Sequence, residues 1–166
     1  MDARTGSLAQ VRAGPERLAQ WLAVLVSGGL LAGALGSQYL GGLAPCEMCL
    51  WQRYPHWAAL AIGGLSFFLP RRARVLTLLA ALAIAVSGAI GVFHAGVEAG
   101  WWDGLTACAT SRSGATGDAL LKSILATPLV RCDQVQWDFM GLSMAAWNAL
   151  ISLSSAGAIA WLSKKR

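Results

Sequence analysis

Four long apolar runs dominate the chain, at about 18–40, 50–69, 75–97 and 140–162. A helix that crosses a bilayer needs roughly 20 mostly apolar residues, the length that spans the hydrocarbon layer at 1.5 Å per residue. All four runs qualify. The first has no charge. The second carries Arg53 and His56 near its start, and the third is interrupted by His94. Hydrocarbon offers no water to satisfy backbone groups, so each segment must bond internally and the segments must gather into a bundle. The pattern predicts an all-α membrane protein, with residues 1–166 forming a single integral membrane domain built on a four-transmembrane-helix bundle.

Two segments join these helices on one side. The first is short, about 41–49; the second is long, about 98–139. The long segment opens on Trp101 and Trp102, an interfacial aromatic signal. Ala109 to Gly117 is rich in Ser, Thr and Gly and predicts a loop. Asp118 can cap a short helix on which Leu120, Leu121, Ile124 and Leu125 share one face, and Pro128 ends it. Such an amphipathic helix lies on the membrane surface or packs on the bundle top. Gly29 and Gly33 in the first run, and Ser87, Gly88 and Gly91 in the third, allow close helix approach.

Composition agrees with the membrane class: of 166 residues, 56% are hydrophobic and 13% charged, with mean hydropathy +0.55. The net charge of +5 adds orientation. Arg4, Arg12, Arg17, Arg71, Arg72, Arg74, Lys164, Lys165 and Arg166 all fall on one side of a four-helix topology. Glu47, Glu98, Asp103, Asp118, Asp133 and Asp138 fall on the other. Short loops rich in Lys and Arg stay cytoplasmic, so both termini are expected inside and both cysteine-bearing loops outside. Basic residues scattered over helix ends argue against a nucleic-acid surface. The first run exceeds the apolar stretch of a signal peptide, so it is expected to remain as a helix.

All four cysteines lie in the outer segments: Cys46 and Cys49 in the first, Cys108 and Cys132 in the second. Cys46-Glu47-Met48-Cys49 puts two thiols within bonding reach at a helix start, where unpaired amides and the helix dipole favour a thiolate. The thiolate is the reactive form in disulfide exchange. Arg53 lies four residues after Cys49, on the same face, and would lower its pKa. A cation inside the start of a spanning segment is costly and marks a functional position, although snorkelling to the interface competes. Glu47 either tunes the pair or is solvated. A Cys-x-x-Cys can also be half of a zinc site. Since Cys108 and Cys132 lie far apart and His56 and His94 do not supply the missing half by spacing, no metal site is expected. A purely structural disulfide stays open as an alternative.

Pro45-Cys46-Glu47-Met48-Cys49 followed by Gln52-Arg53, with a second cysteine pair in the next outer loop and the run Cys132 to Met144, CDQVQWDFMGLSM, resembles the bacterial disulfide bond formation protein B (DsbB) family. The resemblance covers about Leu18 to Leu162. It implies a quinone-dependent protein-disulfide oxidoreductase of the bacterial inner membrane. Such an enzyme oxidises the dithiol of a periplasmic DsbA-like thiol oxidase and passes electrons to ubiquinone or menaquinone. It also implies disulfides Cys46–Cys49 and Cys108–Cys132. Cys108 would form the mixed disulfide with the partner, Cys49 would face the quinone with help from Arg53, and His94 would lie near the ring. Trp137 would pack near the reaction centre or the membrane surface. Glu47 and Met48 stand where many relatives carry apolar residues. A vitamin K epoxide reductase-like enzyme is disfavoured because its loop cysteines precede the Cys-x-x-Cys. A scaffold or carrier stapled by disulfides is the rival of another class.

Overall fold

The computed structural model describes residues 3–104 and 130–164. Helix α1 spans Ala3–Tyr39, α2 Glu47–Phe68, α3 Ala73–Glu98 and α4 Met144–Lys164, with a 3-10 turn at Pro70–Arg72. A two-residue hairpin, β1 (Asp138–Phe139) with β2 (Leu142–Ser143), precedes α4. Cys108 and the short helix expected after Asp118 lie outside the described residues.

Each helix packs on two neighbours in the order α1, α2, α3, α4 and back to α1, so α1 faces α3 and α2 faces α4 across the diagonals. The centre is built from Ala19, Ala23, Ala59, Ala80, Ala81 and Ala156 around Ile84 and Ile159. Small side chains let backbones approach where hydrophobic exclusion gives no drive between helices. Larger apolar residues turn outward: Leu25, Phe68, Val75 and Leu82 are all at least 60% exposed. An apolar exterior over a small-residue interior suits lipid as solvent. Among the described residues three helices, over Gly14–Tyr39, Pro70–Glu98 and Met144–Lys164, are long and apolar enough to cross a membrane. Helix α2 is not among them. Gln52, Arg53, Tyr54, Pro55 and His56 are crowded into its first half and lower its hydropathy.

The small residues divide into two groups. A Cβ on Gly88 would lie 2.9 Å from Leu153, and one on Gly91 would lie 3.0 Å from the Ala145 carbonyl, so α3 and α4 touch there. Among the described residues, nothing lies within 4 Å of such a Cβ on Gly29 or Gly33. They border a cavity and make no close helix contact there, contrary to the sequence expectation.

The fourth helix starts at Met144, not at 140. Met140 and Gly141 adopt positive φ, 56° and 76°, and form the tight turn of the hairpin. Ser143 then caps α4, its Oγ accepting the Ala146 amide at 3.1 Å. Trp147 Nε1 donates to the Phe139 carbonyl at 3.1 Å and ties the hairpin down. A left-handed conformation at a residue with a side chain costs about 1–2 kcal/mol. Met140 is 79% exposed, so its side chain contributes little packing in return. Met140→Asn, which suits this turn, is expected to stabilise the protein by about 0.5–1 kcal/mol in a denaturant titration.

At the other end of the site α3 closes on Gly100, φ 69°, with Gly100 N–H donating to Val97 O at 3.1 Å and Trp101 N–H to Gly96 O at 2.9 Å. Trp102 folds back over Gly96, and its indole N–H donates to Phe93 O at 2.9 Å. Helix α3 therefore stops just after Glu98, leaving His94 in its last full turn.

Candidate active site

Cys46 is the N-cap of α2. Its backbone is extended, and its Sγ accepts the Cys49 amide at 3.2 Å. This sulfur takes the place of the usual capping oxygen. The cap turns the two sulfurs toward each other; both are thiols here, 2.9 Å apart, with Cys46 donating to Cys49. Inside the motif the alternation is clear. Met48 is fully buried under the pair, whereas Glu47 is exposed in the first turn, where its charge favours the helix N-terminus.

Donation from Cys46 holds the Cys49 thiol below its ordinary range. The Cys49 amide bond to the Cys46 sulfur and the Arg53 charge act in the same direction, while burial and Glu98 oppose them. The proton stays on Cys46, whose own pKa is pushed well up, first by that hydrogen bond and then by burial. Cys49 is thus the first thiolate of the reduced pair. Its alkylation is expected to follow a pH midpoint below that of an ordinary thiol. Arg53→Ala should move that midpoint up, because a stabilising cation is lost, and Glu98→Gln should move it down. Alkylation at a series of pH values, read by mass spectrometry, checks both signs.

Arg53 reaches across to α1. Nη1 donates to Gln38 Oε1 at 2.5 Å and Nη2 to the Ala34 carbonyl at 3.1 Å. It is held in place by protein groups. Arg53 and Cys49 border one cavity of about 570 Å³, in the range of small-molecule sites. Gly29, Gly33, Ala34 and Ser37 of α1 form one wall, spaced at helical intervals. Trp137 and Trp147 form another, with Trp137 stacked on Phe139 at 6.2 Å. Gln52, His56 and Asn148 supply further polar edges.

Cys132 lies on the opposite side of the pair. It and Cys46 are both 3% exposed and share one buried cluster with Met48 and Val97. Arg131 and Asp133 flank Cys132 and bridge one another, Nε to Oδ1 at 2.8 Å and Nη2 to Oδ2. The guanidinium holds the exposed Asp133 carboxyl below the usual carboxylate range. His94 is on this side as well. Its Nε2 is 3.6 Å from Cys46 Sγ and 3.8 Å from Glu98 Oε1, and the ring hydrogen-bonds the Cys132 backbone. His94 does not border the cavity. The structure brings Cys46, Cys49, Cys132, Arg53 and His94 together, with Cys49 and Arg53 at the cavity and His94 one residue behind its wall, against Gln52.

A polar chain not evident from the sequence crosses the α2–α4 diagonal. Asn148 Nδ2 donates to Gln52 Oε1 at 2.7 Å, and Gln52 Nε2 lies 2.8 Å from His94 Nδ1. Asn148 Oδ1 lies 3.0 Å from His56 Nε2 and accepts from Ser152 Oγ at 3.0 Å. Ser87 Oγ donates to the Gln52 carbonyl at 2.8 Å. Gln52 with His56, and Asn148 with Ser152, each fall four residues apart inside apolar runs. That polar stripe is the signal that could have revealed them.

Comparison with known proteins shows the family. A family model described as "Disulfide bond formation protein DsbB" matches residues 16–162. The chain is 33% identical over 139 aligned residues to disulfide bond formation protein B of Xanthomonas oryzae pv. oryzae (strain MAFF 311018), covering 76% of this chain and 78% of that protein. It is 32% identical over 137 residues to the protein of that name from Marinobacter nauticus, covering 78% and 80%. The Shewanella sp. (strain MR-4) protein of the same name is 32% identical over 136 residues, covering 78% and 77%. No solved structure gives a significant match. By family and by its apolar helices, this is a multi-pass membrane protein and a disulfide-forming oxidoreductase: the chain belongs to the DsbB family of disulfide bond formation proteins.

Proposed function

We propose that the protein oxidises the dithiol of a periplasmic DsbA-like thiol oxidase and delivers the electrons to a membrane quinone through its two cysteine pairs. The observation that carries this reading is the placement of Cys46–Cys49, with Cys132 packed on one side and an Arg53-lined cavity on the other. In this reading all four helices cross the inner membrane, both termini are cytoplasmic and the cysteines face the periplasm. The resting disulfides are Cys46–Cys49 and Cys108–Cys132.

The cavity fits a quinone ring. Its walls are apolar and aromatic, Arg53 offers cationic donors, and His56 Nδ1 is a buried atom without a partner among the described residues. Ubiquinone or menaquinone would supply a two-electron, two-proton acceptor there. The chain's own residues do the rest. A partner thiolate attacks Cys108, and Cys132 leaves as a thiolate. Cys132 then attacks Cys46, and Cys49 leaves as the thiolate at the cavity wall. The second partner thiol displaces Cys108. Cys108 displaces Cys46 from Cys132, and the pair at α2 is left reduced. Each exchange breaks one S–S bond and makes one. Arg53 stabilises the Cys49 thiolate and orients whatever enters the cavity.

The test uses purified protein, a reduced DsbA-like dithiol and a soluble quinone. Quinone absorbance and free thiols should fall together, two thiols for each quinone. Thiol loss that does not depend on quinone would refute this reading, as would reduced protein that quinone never reoxidises. The second outcome would favour disulfides that only staple loops.

A further inference from the structure

Cys46, Cys49 and His94 place two thiol sulfurs and an imidazole nitrogen within 4.8 Å of one another, a donor set that suits zinc or another thiophilic cation. The atoms around His94 argue against that use. A histidine that binds a metal through one nitrogen gives the N–H of the other to an acceptor. Here the partner of His94 Nδ1 is the Gln52 side chain, and its orientation follows from two backbone carbonyls.

A carbonyl can only accept. Asn148 turns its amide nitrogen to the Ser87 carbonyl at 3.3 Å, so the same NH2 group donates to Gln52 Oε1. Gln52 turns its own nitrogen to the Met48 carbonyl at 3.3 Å. With its oxygen taken by Asn148, Gln52 meets His94 Nδ1 as a donor, at 2.8 Å. Nδ1 must then carry the lone pair, and the neutral ring carries its proton on Nε2, the atom that faces Cys46 and Glu98.

We propose that Gln52, oriented by Asn148, is a positioning residue: it fixes His94 as the Nε2–H tautomer, so Cys46 receives an N–H and the cysteine pair remains a redox site that does not bind metal. The proposal deepens the thiol-oxidase reading and rests on it for its consequence. When Cys46 is displaced as a thiolate, the His94 N–H stands 3.6 Å from its sulfur, within reach of it as well as of Glu98. A lone pair at Nε2 would repel that thiolate and would complete a metal site. The same chain acts on His56. Asn148 Oδ1 can only accept, so His56 also bears its proton on Nε2, and Nδ1 keeps a lone pair.

Two measurements test this, and neither uses quinone or a partner protein. The chain has two histidines, so protein labelled with 15N-histidine gives two ring spin systems, assigned with His56→Gln. Both rings are expected as Nε2–H. In the second measurement Cd2+ is titrated into reduced protein and thiolate-to-metal absorption is read. Gln52→Glu presents a carboxylate that accepts from Nδ1–H and frees Nε2 for a metal. It is expected to bind Cd2+ about 10- to 100-fold tighter than the unmodified protein, and His94→Ala in that background should abolish the gain. A His94 signal with the proton on Nδ1 overturns the proposal. So does equal Cd2+ affinity with and without Gln52→Glu. If Gln52→Glu does not fold, the spectrum of the unmodified protein decides. Loss of the oxidase reading would appear only in the quinone assay and would leave this spectrum unchanged.

Discussion

Cys49→Ser is expected to lower dithiol-dependent quinone reduction by about a thousandfold or more, the scale seen when a group that acts as part of a catalytic unit is removed. The reason is positional. Among the described cysteines, Cys49 alone borders the cavity, and it receives both the Cys46 hydrogen bond and the Arg53 charge. A serine at this place keeps helix and cavity but has no sulfur to return to a disulfide. Cys46 and Cys132 share one buried cluster, so the variant should still trap a Cys46–Cys132 disulfide after meeting a reduced partner. Non-reducing peptide mapping reads that bond, and quinone absorbance reads turnover. Cys108→Ser is the counterpart: it should fail to capture the partner, yet a Cys46–Cys49 pair reduced with a small thiol should still meet quinone. Normal quinone-dependent oxidation by Cys49→Ser would remove the site from the mechanism.

The second large effect is steric. Gly33→Phe is expected to raise the KM for quinone about tenfold or more while leaving folding intact. A Cβ at Gly33 meets nothing within 4 Å among the described residues, and Gly33 lines the same cavity as Trp137, so a phenyl ring there is expected to take up part of it. Thiol exchange at Cys46 takes place on the far side of the pair and should keep its rate. Gly88→Phe is the useful contrast, because its first carbon already collides with Leu153 at 2.9 Å and the damage should appear as loss of the α3–α4 packing. If Gly33→Phe left the KM unchanged, the cavity would not be the quinone site. If both variants unfolded alike, Gly33 would be a packing residue after all, which the open space around it contradicts.

Much of this arrangement is legible in the chain itself. Hydrophobic runs located four helices to within a few residues at most ends, because length and apolarity are local properties. The main errors came from backbone conformation. The run beginning at Met140 reads as helix, yet Met140 and Gly141 turn with positive φ before Ser143 caps α4. Helix α1 continues N-terminal of the apolar run, through Pro15. The closeness of Cys46, Cys49 and Arg53 at one end of α2 is legible from their spacing. The roles of Asn148, Ser87 and Ser152 are not, because a single small polar residue in an apolar run has a meaning only when its partners are known.

What the sequence by itself determined is the class of molecule and the closeness of Cys46 and Cys49. Apolar length dictates helices in lipid, and two cysteines three apart at a helix start must meet. Tertiary structure decided what stands on each side of that pair. Gly29 and Gly33, which read as helix-contact residues, became a cavity wall, because the neighbours of a helix face depend on how all four helices pack. His94, separated from Cys46 by 48 positions, came within 3.6 Å of its sulfur. Gln52, unremarkable by composition, became the residue that sets the histidine's tautomer. Such roles depend on distances between helices, and no periodicity along a single helix encodes those distances.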